Sequence, residues 1–200
     1  MARIKHPEDV RLKLLETGLA LFSHQGYNGT GIKEIADAAN MPKGSFYNYF
    51  ASKEEFGAAT IQHYGELVAS AWAEYFVDAP REPLAALRHG VAKMVSYHEQ
   101  SEVKCGCLFG NFAAELAESS DSCRLALRDV VGAWRAHIAD HLRRAQAEGA
   151  VRNDITAEAL ADFFWNAWEG ALLRMKIEHS IAPLRACVDL MFDRFFVPQA

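Results

Sequence analysis

Two short stretches carry the residue types that could do chemistry. The first is Lys43-Gly44-Ser45-Phe46-Tyr47-Asn48-Tyr49-Phe50, in which hydroxyls, an amide and an ammonium crowd eight positions. Short or planar polar groups at a helix start donate readily to phosphate oxygens, and a glycine lets the backbone come close. The second is Cys105-Gly106-Cys107-Leu108-Phe109-Gly110-Asn111. Two thiols two residues apart could ligate a metal, lie inert in a core, or react as nucleophiles. Even with His98 or Cys123 counted, the paired spacing of zinc ligands is missing. Burial and reactivity both stay open. A short helix expected to begin near Gly106 would put Cys107 in its first turn, where the dipole favours thiolate.

These groups need elements to hold them. Thr30 is suited to cap a helix carrying Ile32, Ile35, Ala36 and Ala39 on one face. Asn40-Met41-Pro42 should end that helix, because the residue before proline is pushed from helical angles. A second short helix then starts at Lys43, with Phe46 and Phe50 on its buried side and Gly44, Ser45, Tyr47, Asn48 and Tyr49 directed elsewhere. Ser52 and Glu55 read as a capping box opening a third helix. Helix, tight turn and helix is the geometry that brings a recognition helix to the DNA major groove. Lys33 and Lys53, with Thr30, would flank that groove as clamps on phosphate. Arg3 and Lys5 could form a short arm ahead of it.

Charge supports this division only modestly. The chain carries 21 Lys and Arg against 26 Asp and Glu, a net of −5. Residues 1–53 hold seven basic against five acidic side chains, leaving 14 against 21 in the rest. A weakly basic head on an acidic body suits a protein that touches phosphates at one end. Half of the residues are hydrophobic, with only 13 glycines and 6 prolines in 200, so a packed core is expected rather than disorder. No apolar run is long enough to span a bilayer and no signal-peptide core is present, so a cytoplasmic chain with free thiols is expected.

From Thr30-Gly31-Ile32-Lys33-Glu34-Ile35-Ala36 through Pro42-Lys43-Gly44-Ser45-Phe46-Tyr47-Asn48-Tyr49-Phe50 to Ser52-Lys53-Glu54, the sequence resembles the DNA-binding domain of the TetR family of transcriptional regulators. The resemblance implies an all-α protein with a three-helix head at 1–52, its helix-turn-helix at about 31–50, and a sensor and dimerisation body at 53–200. It implies DNA contacts from Thr30, Gly31, Lys33, Pro42, Lys43, Gly44, Ser45, Tyr47, Asn48, Tyr49 and Lys53. Gly106-Cys107-Leu108, with Trp168-Glu169-Gly170-Ala171 and Lys176-Ile177, is similar to the members that answer N-ethylmaleimide, related reactive carbonyls or acrylate. That narrower likeness implies Cys107 as a sensing thiol and gives Cys105, Cys123 and Cys187 no such role. The partners it implies are palindromic operator DNA, a small-molecule inducer and a second copy of the chain.

The body reads as helices throughout. Pro7 opens a helix that Gly26 should terminate. Others are expected from about Lys53 to Asp78, from Pro83, from Asp121 to Gly149, from Asp154-Ile155-Thr156, and from Pro183. Between Leu160 and Leu173 apolar residues occupy most of the helical circumference, and Phe192, Phe195 and Phe196 crowd the last turn. Burial on two sides points to a homodimer through the last two helices. Trp134, Trp165 and Trp168 could line a ligand pocket beside Cys107 and Asn111, or serve as core. Lys176 ends a helix that is otherwise apolar on several sides and is expected to approach Cys107 and favour its thiolate. No catalytic constellation, metal site or cofactor is expected. A non-covalent pocket, a thiol hydrolase pairing Cys107 with His98 or His137, and a DNA-bending protein without inducer are the alternatives.

Overall fold

The computed structural model describes residues 6–101 and 106–198. All regular structure in them is helical: α1 (Pro7–Gly29), α2 (Ile32–Ala38), α3 (Lys43–Phe46), α4 (Lys53–Glu74), α5 (Pro83–Gln100), α6 (Leu108–Leu116), α7 (Asp121–Ala147), α8 (Ala157–Glu178) and α9 (Ala182–Leu190), which runs into a π-helical turn over Met191–Phe195. Among the described residues, no helix is long and apolar enough to cross a membrane. Arg3, Lys5 and Cys105 lie outside the described residues.

Those up to Leu67, with Leu108–Val130, form one compact unit; those of Val68–Cys107, with Val131 onward, form a second. The first therefore joins the N-terminal helices to α6 and the start of α7. Its centre is aromatic. Phe46, Phe50 and Phe56 meet edge-on or tilted at centroid distances of 4.9–5.6 Å, and Phe22 packs edge-on against Phe112 at 5.6 Å. Such pairs add about 0.5–1.5 kcal/mol each beyond the apolar area they bury. The expected division of Phe46 and Phe50 into this core is what the structure has, both being fully buried.

Local chemistry sets the helix ends. Gly26 takes φ +76°, the left-handed region that costs other residues energy, and kinks α1 there. Asn40 at φ 57° closes α2, and the Met41 N–H reaches back to the Ala36 carbonyl at 2.9 Å. The Lys13 ammonium donates to the Ala39 carbonyl at 2.6 Å. At α4 the Glu55 N–H donates to the Ser52 hydroxyl at 3.0 Å, while the Glu55 carboxylate turns back to the Ala51 N–H at 2.7 Å. The expected capping box forms, displaced by one residue on its return arm. Asp154-Ile155-Thr156 leads into α8 as expected, and Thr156 caps it, its hydroxyl accepting from Ala159 N–H at 3.2 Å.

The second unit is built on α8. Its inner face, Leu160, Phe164, Trp168, Leu172 and Met175, is buried against Trp134, Ile138 and Leu142 of α7 and against Leu184, Val188 and Met191 at the end of the chain. Arg185 pairs with Glu99 at 2.6 Å, and Arg88 pairs with Asp193, tying α5 to the last helix and the turn beyond it. These pairs are solvent-facing and fix register more than they stabilise.

Candidate nucleic-acid interface and thiol site

The turn between α2 and α3 presents the polar row the sequence suggested. Gly31, Lys33, Pro42, Lys43, Gly44, Tyr47 and Asn48 are exposed, and Ser45 and Tyr49 are half-buried. Tyr47 leaves 48% of its surface open while its ring edge rests on Phe46 at 5.6 Å. Space is open beside Gly44. A buried phenylalanine pair thus anchors α3 from beneath, and its donors face outward, an arrangement able to bind phosphate oxygens and base edges.

Two of the flanking residues behave differently from expectation. Thr30 does not cap α2; Gly31 occupies that position. The Thr30 hydroxyl instead donates to the Gly26 carbonyl at 2.7 Å, and the residue is fully buried. The reason is the Gly26 kink, which leaves a carbonyl to satisfy nearby. Lys53 is half-buried, with its ammonium donating to the Tyr27 carbonyl at 2.7 Å and lying 4.2 Å above the Tyr27 ring. Burial pushes its pKa below the ordinary lysine value. Its ammonium has further protons to offer, so the internal bond does not exhaust it.

In the second unit, Gly106 adopts φ +75° and Cys107 follows it, half-buried. The helix expected near Gly106 begins at Leu108, because the left-handed Gly106 cannot continue a helical turn. Cys107 therefore stands just before the first turn of α6 instead of within it. Its thiol hydrogen-bonds to the carboxyl group of Glu169 on α8. Burial raises the Glu169 pKa above the usual carboxylate value, and the Cys107 bond counters this in part. The other oxygen, Oε1, is buried with no hydrogen-bond partner among the described residues. The Lys176 stem passes close to Gly106: a Cβ at that glycine would lie 3.7 Å from Lys176 Cδ.

The three tryptophans form a connected aromatic string in the same unit. Trp134 stacks on Phe164 at 5.6 Å and meets Trp165 at 5.2 Å, while Trp168 stacks on Phe164 at 6.0 Å and faces His98 at 5.9 Å. Trp134 and Trp168 are buried core members; Trp165 is partly exposed. Asn111 is half-buried on α6, in the first unit. The remaining described thiols are occupied by packing: Cys123 Sγ faces the Glu54 carbonyl at 3.6 Å and Cys187 Sγ the Ala167 carbonyl at 3.5 Å. Burial pushes both thiols up in pKa. Glu169 is the residue sequence reasoning missed. The available signal was an acid on the same helical line as Trp165, Leu172 and Lys176, where an apolar side chain is expected.

The chain is similar to known proteins over most of its length. Residues 14–60 match the family described as bacterial regulatory proteins, tetR family, and residues 83–191 match the tetracyclin repressor-like C-terminal domain. The chain is similar to the transcriptional regulator AcuR of Cereibacter sphaeroides, 38% identical over 184 residues that cover 92% of this chain and 84% of that protein. It is 35% identical to the HTH-type transcriptional repressor DhaR of a Mycobacterium species, covering 92% and 91%. It is also 35% identical to the HTH-type transcriptional repressor NemR of Escherichia coli, over 90% and 91%. The reduced form of NemR superposes with a TM-score of 0.85 at 25% identity, over 94% of this chain and 97% of that one.

Proposed function

Because this chain belongs to the TetR family of bacterial regulatory proteins, we propose that it is a repressor that binds a palindromic operator as a homodimer and releases it when an inducer reaches its body. The observation that carries the reading is the division of α3 and the turn after it, with Phe46 and Phe50 fully buried and Lys43, Gly44, Tyr47 and Asn48 exposed. Residues 1–52 act as the reading head in this proposal, and the body from Lys53 carries sensing and dimerisation. Two heads on a twofold axis read two half-sites, which is why the operator is palindromic.

Dimerisation through α8 and α9 is supported by what the single chain leaves uncovered. Phe163, Leu173, Ile177 and Leu190 stay 44%, 60%, 67% and 63% exposed. On α8 the exposed positions Phe163, Asn166, Gly170, Leu173 and Ile177 recur at three and four residues, a stripe suited to a second pair of helices. A repressor of this kind works in the cytoplasm, where its DNA is.

We further propose that Cys107 is the sensing thiol. It is half-buried, whereas Cys123 is fully buried and the equally half-buried Cys187 has its thiol pushed up and its sulfur on the Ala167 carbonyl. Lys176, with its stem against Gly106, would bring a cation to the same neighbourhood. Release follows from linkage: a modification compatible with only one spacing of the heads shifts the population away from the DNA-bound form. The test is selection from a random duplex pool with purified protein, followed by a gel shift with N-ethylmaleimide. An enriched inverted repeat that the electrophile releases is the expected result. No enrichment would overturn the DNA assignment, and release that survives Cys107→Ser would overturn the thiol assignment.

A further inference from the structure

Glu169 lies against the Cys107 thiol, and the proposed repressor function gives it no role. Its carboxyl accepts the Cys107 hydrogen bond, while Oε1 is buried with no hydrogen-bond partner among the described residues. A buried acceptor without a donor is costly, and a ligand that supplies the donor recovers that cost. The same oxygen disfavours a second anion, because two like charges close together in a poorly solvated place cannot both be stabilised.

We propose that Glu169 selects the electrophile and receives the thiol proton. The favoured class is a neutral activated alkene bearing an N–H or O–H donor, such as an unsaturated primary amide, over an anionic unsaturated carboxylate. This rests on the reading of Cys107 as the sensing thiol. The sulfur forms a bond to the β-carbon of the alkene as the C=C π bond breaks, and the electron pair moves onto the α-carbon and its carbonyl. The proton leaving sulfur goes to the Glu169 carboxylate and is then delivered to the α-carbon. The sum is addition of S–H across the double bond, with no oxidant or reductant required. Meanwhile the amide N–H of the electrophile donates to Oε1, holding the alkene over the sulfur.

This placement also explains why an acid stands on the helical line of Trp165 and Leu172. A glutamine would keep the shape and a hydrogen-bonding oxygen but could not take up the proton. General-base help of this kind is worth about a hundredfold or more in rate.

The experiment measures Cys107 modification by intact-mass spectrometry, with full-length protein and acrylamide, N,N-dimethylacrylamide or acrylate. Each rate is divided by that of the same reagent with 2-mercaptoethanol in the same buffer, which removes intrinsic reactivity. The expected order is acrylamide ahead of both others by about tenfold, the scale of one charge-assisted hydrogen bond. Glu169→Gln should slow acrylamide by about a hundredfold and narrow the gap to acrylate. Acrylate matching or exceeding acrylamide in the wild type would overturn the proposal, since the carboxyl would then be pairing with an acid. Unchanged ratios in Glu169→Gln would overturn it as well. If that variant does not fold, the wild-type order decides alone. Mass shift is read independently of DNA release, so a correct order without release would sink the sensing reading and leave the selection chemistry standing.

Discussion

Glu115 of α6 grips the backbone at Tyr27: its carboxylate accepts the Tyr27 N–H at 3.1 Å and the neighbouring Asn28 N–H at 2.7 Å. Both amides follow the Gly26 kink, where α1 loses its regular hydrogen bonding. The acid acts as a cap supplied from a helix 88 residues away in the chain. Ser120 and Ser122 make a second tie in the same unit, both donating to Glu54 at 2.6 and 3.0 Å. These bonds fasten α6 to α1 and the start of α7 to α4.

Removing that grip should loosen the unit. Glu115→Ala leaves two backbone amides without partners and should cost about 1–3 kcal/mol, as for lost hydrogen bonds to a charged acceptor. Glu115→Gln keeps one acceptor oxygen and should lose less. Urea unfolding checks the order; equal midpoints for wild type and Glu115→Ala would mean the contact is replaced by solvent without penalty.

Lys53 and Tyr47 separate two kinds of DNA contact. Lys53→Ala should weaken binding to all duplexes about equally and reduce the slope of affinity against salt by roughly one. It should also cost some stability, because the Tyr27 carbonyl and ring lose their cation. Tyr47→Ala removes an exposed side chain and should change stability by less than about 0.5 kcal/mol, while operator binding drops by about 1–3 kcal/mol. Fluorescence anisotropy over a salt series reads both. Wild-type affinity in the pair would move the interface elsewhere.

The head was legible from the sequence because its signals are local. Phe46 and Phe50 fall four apart, Asn40-Met41-Pro42 breaks α2, and Ser52 caps α4, each decided within a few residues. Thr30 misled for a non-local reason, the bent backbone at Gly26 that competes for its hydroxyl. The Glu115 cap was invisible, since nothing in α6 signals a partner 88 positions earlier. Glu169 likewise reads as a polar interruption until α8 is packed beside the segment holding Cys107. What long-range packing decides, residue spacing along one helix cannot.

Thiol reactivity should follow what surrounds each sulfur. N-ethylmaleimide is expected to modify Cys107 before Cys123 or Cys187, whose thiols burial pushes up and whose sulfur atoms face backbone carbonyls. Cys107→Ser should keep operator binding and lose release, whereas Cys187→Ser should match the wild type. Peptide mapping after brief labelling gives the order; first labelling at Cys187 would contradict it.

The uncovered stripe on α8 predicts self-association. Leu173→Glu with Ile177→Glu places two charges on a face that is 60% and 67% exposed in the single chain, so folding should survive. Sedimentation at micromolar concentration should show a dimer for the wild type and a 22.2 kDa monomer for the double variant. A wild-type monomer would remove the twofold operator from the proposal, and an undisturbed dimer in the variant would put the interface on another face.

His141 makes the body sensitive to acid. Its ring stacks on Phe76 at 4.6 Å, and its Nδ1 lies 3.0 Å from an Arg144 guanidinium nitrogen. Burial first, then the Arg144 charge, pushes its pKa from 6.5 down to about 4, with His137 adding slightly and Asp140 opposing. The folded ring is therefore neutral and accepts from Arg144, while the ring in the unfolded chain titrates at its ordinary value. Above pH 6.5 the group contributes no pH dependence. As pH falls from 6.5 toward 4, the unfolded state binds a proton that the folded state refuses, so stability declines across that window. Carboxylates held down by partners, such as Asp154 beside Arg152 and Asp193 beside Arg88, lose their contributions at lower pH. His141→Phe retains a ring for Phe76 and cannot titrate. The wild type should thus lose more stability than the variant between pH 7.5 and pH 5, measured by chemical denaturation at each pH. Parallel losses in the two proteins would mean that the folded ring accepts its proton as readily as the unfolded one, and that Arg144 gives way to let it.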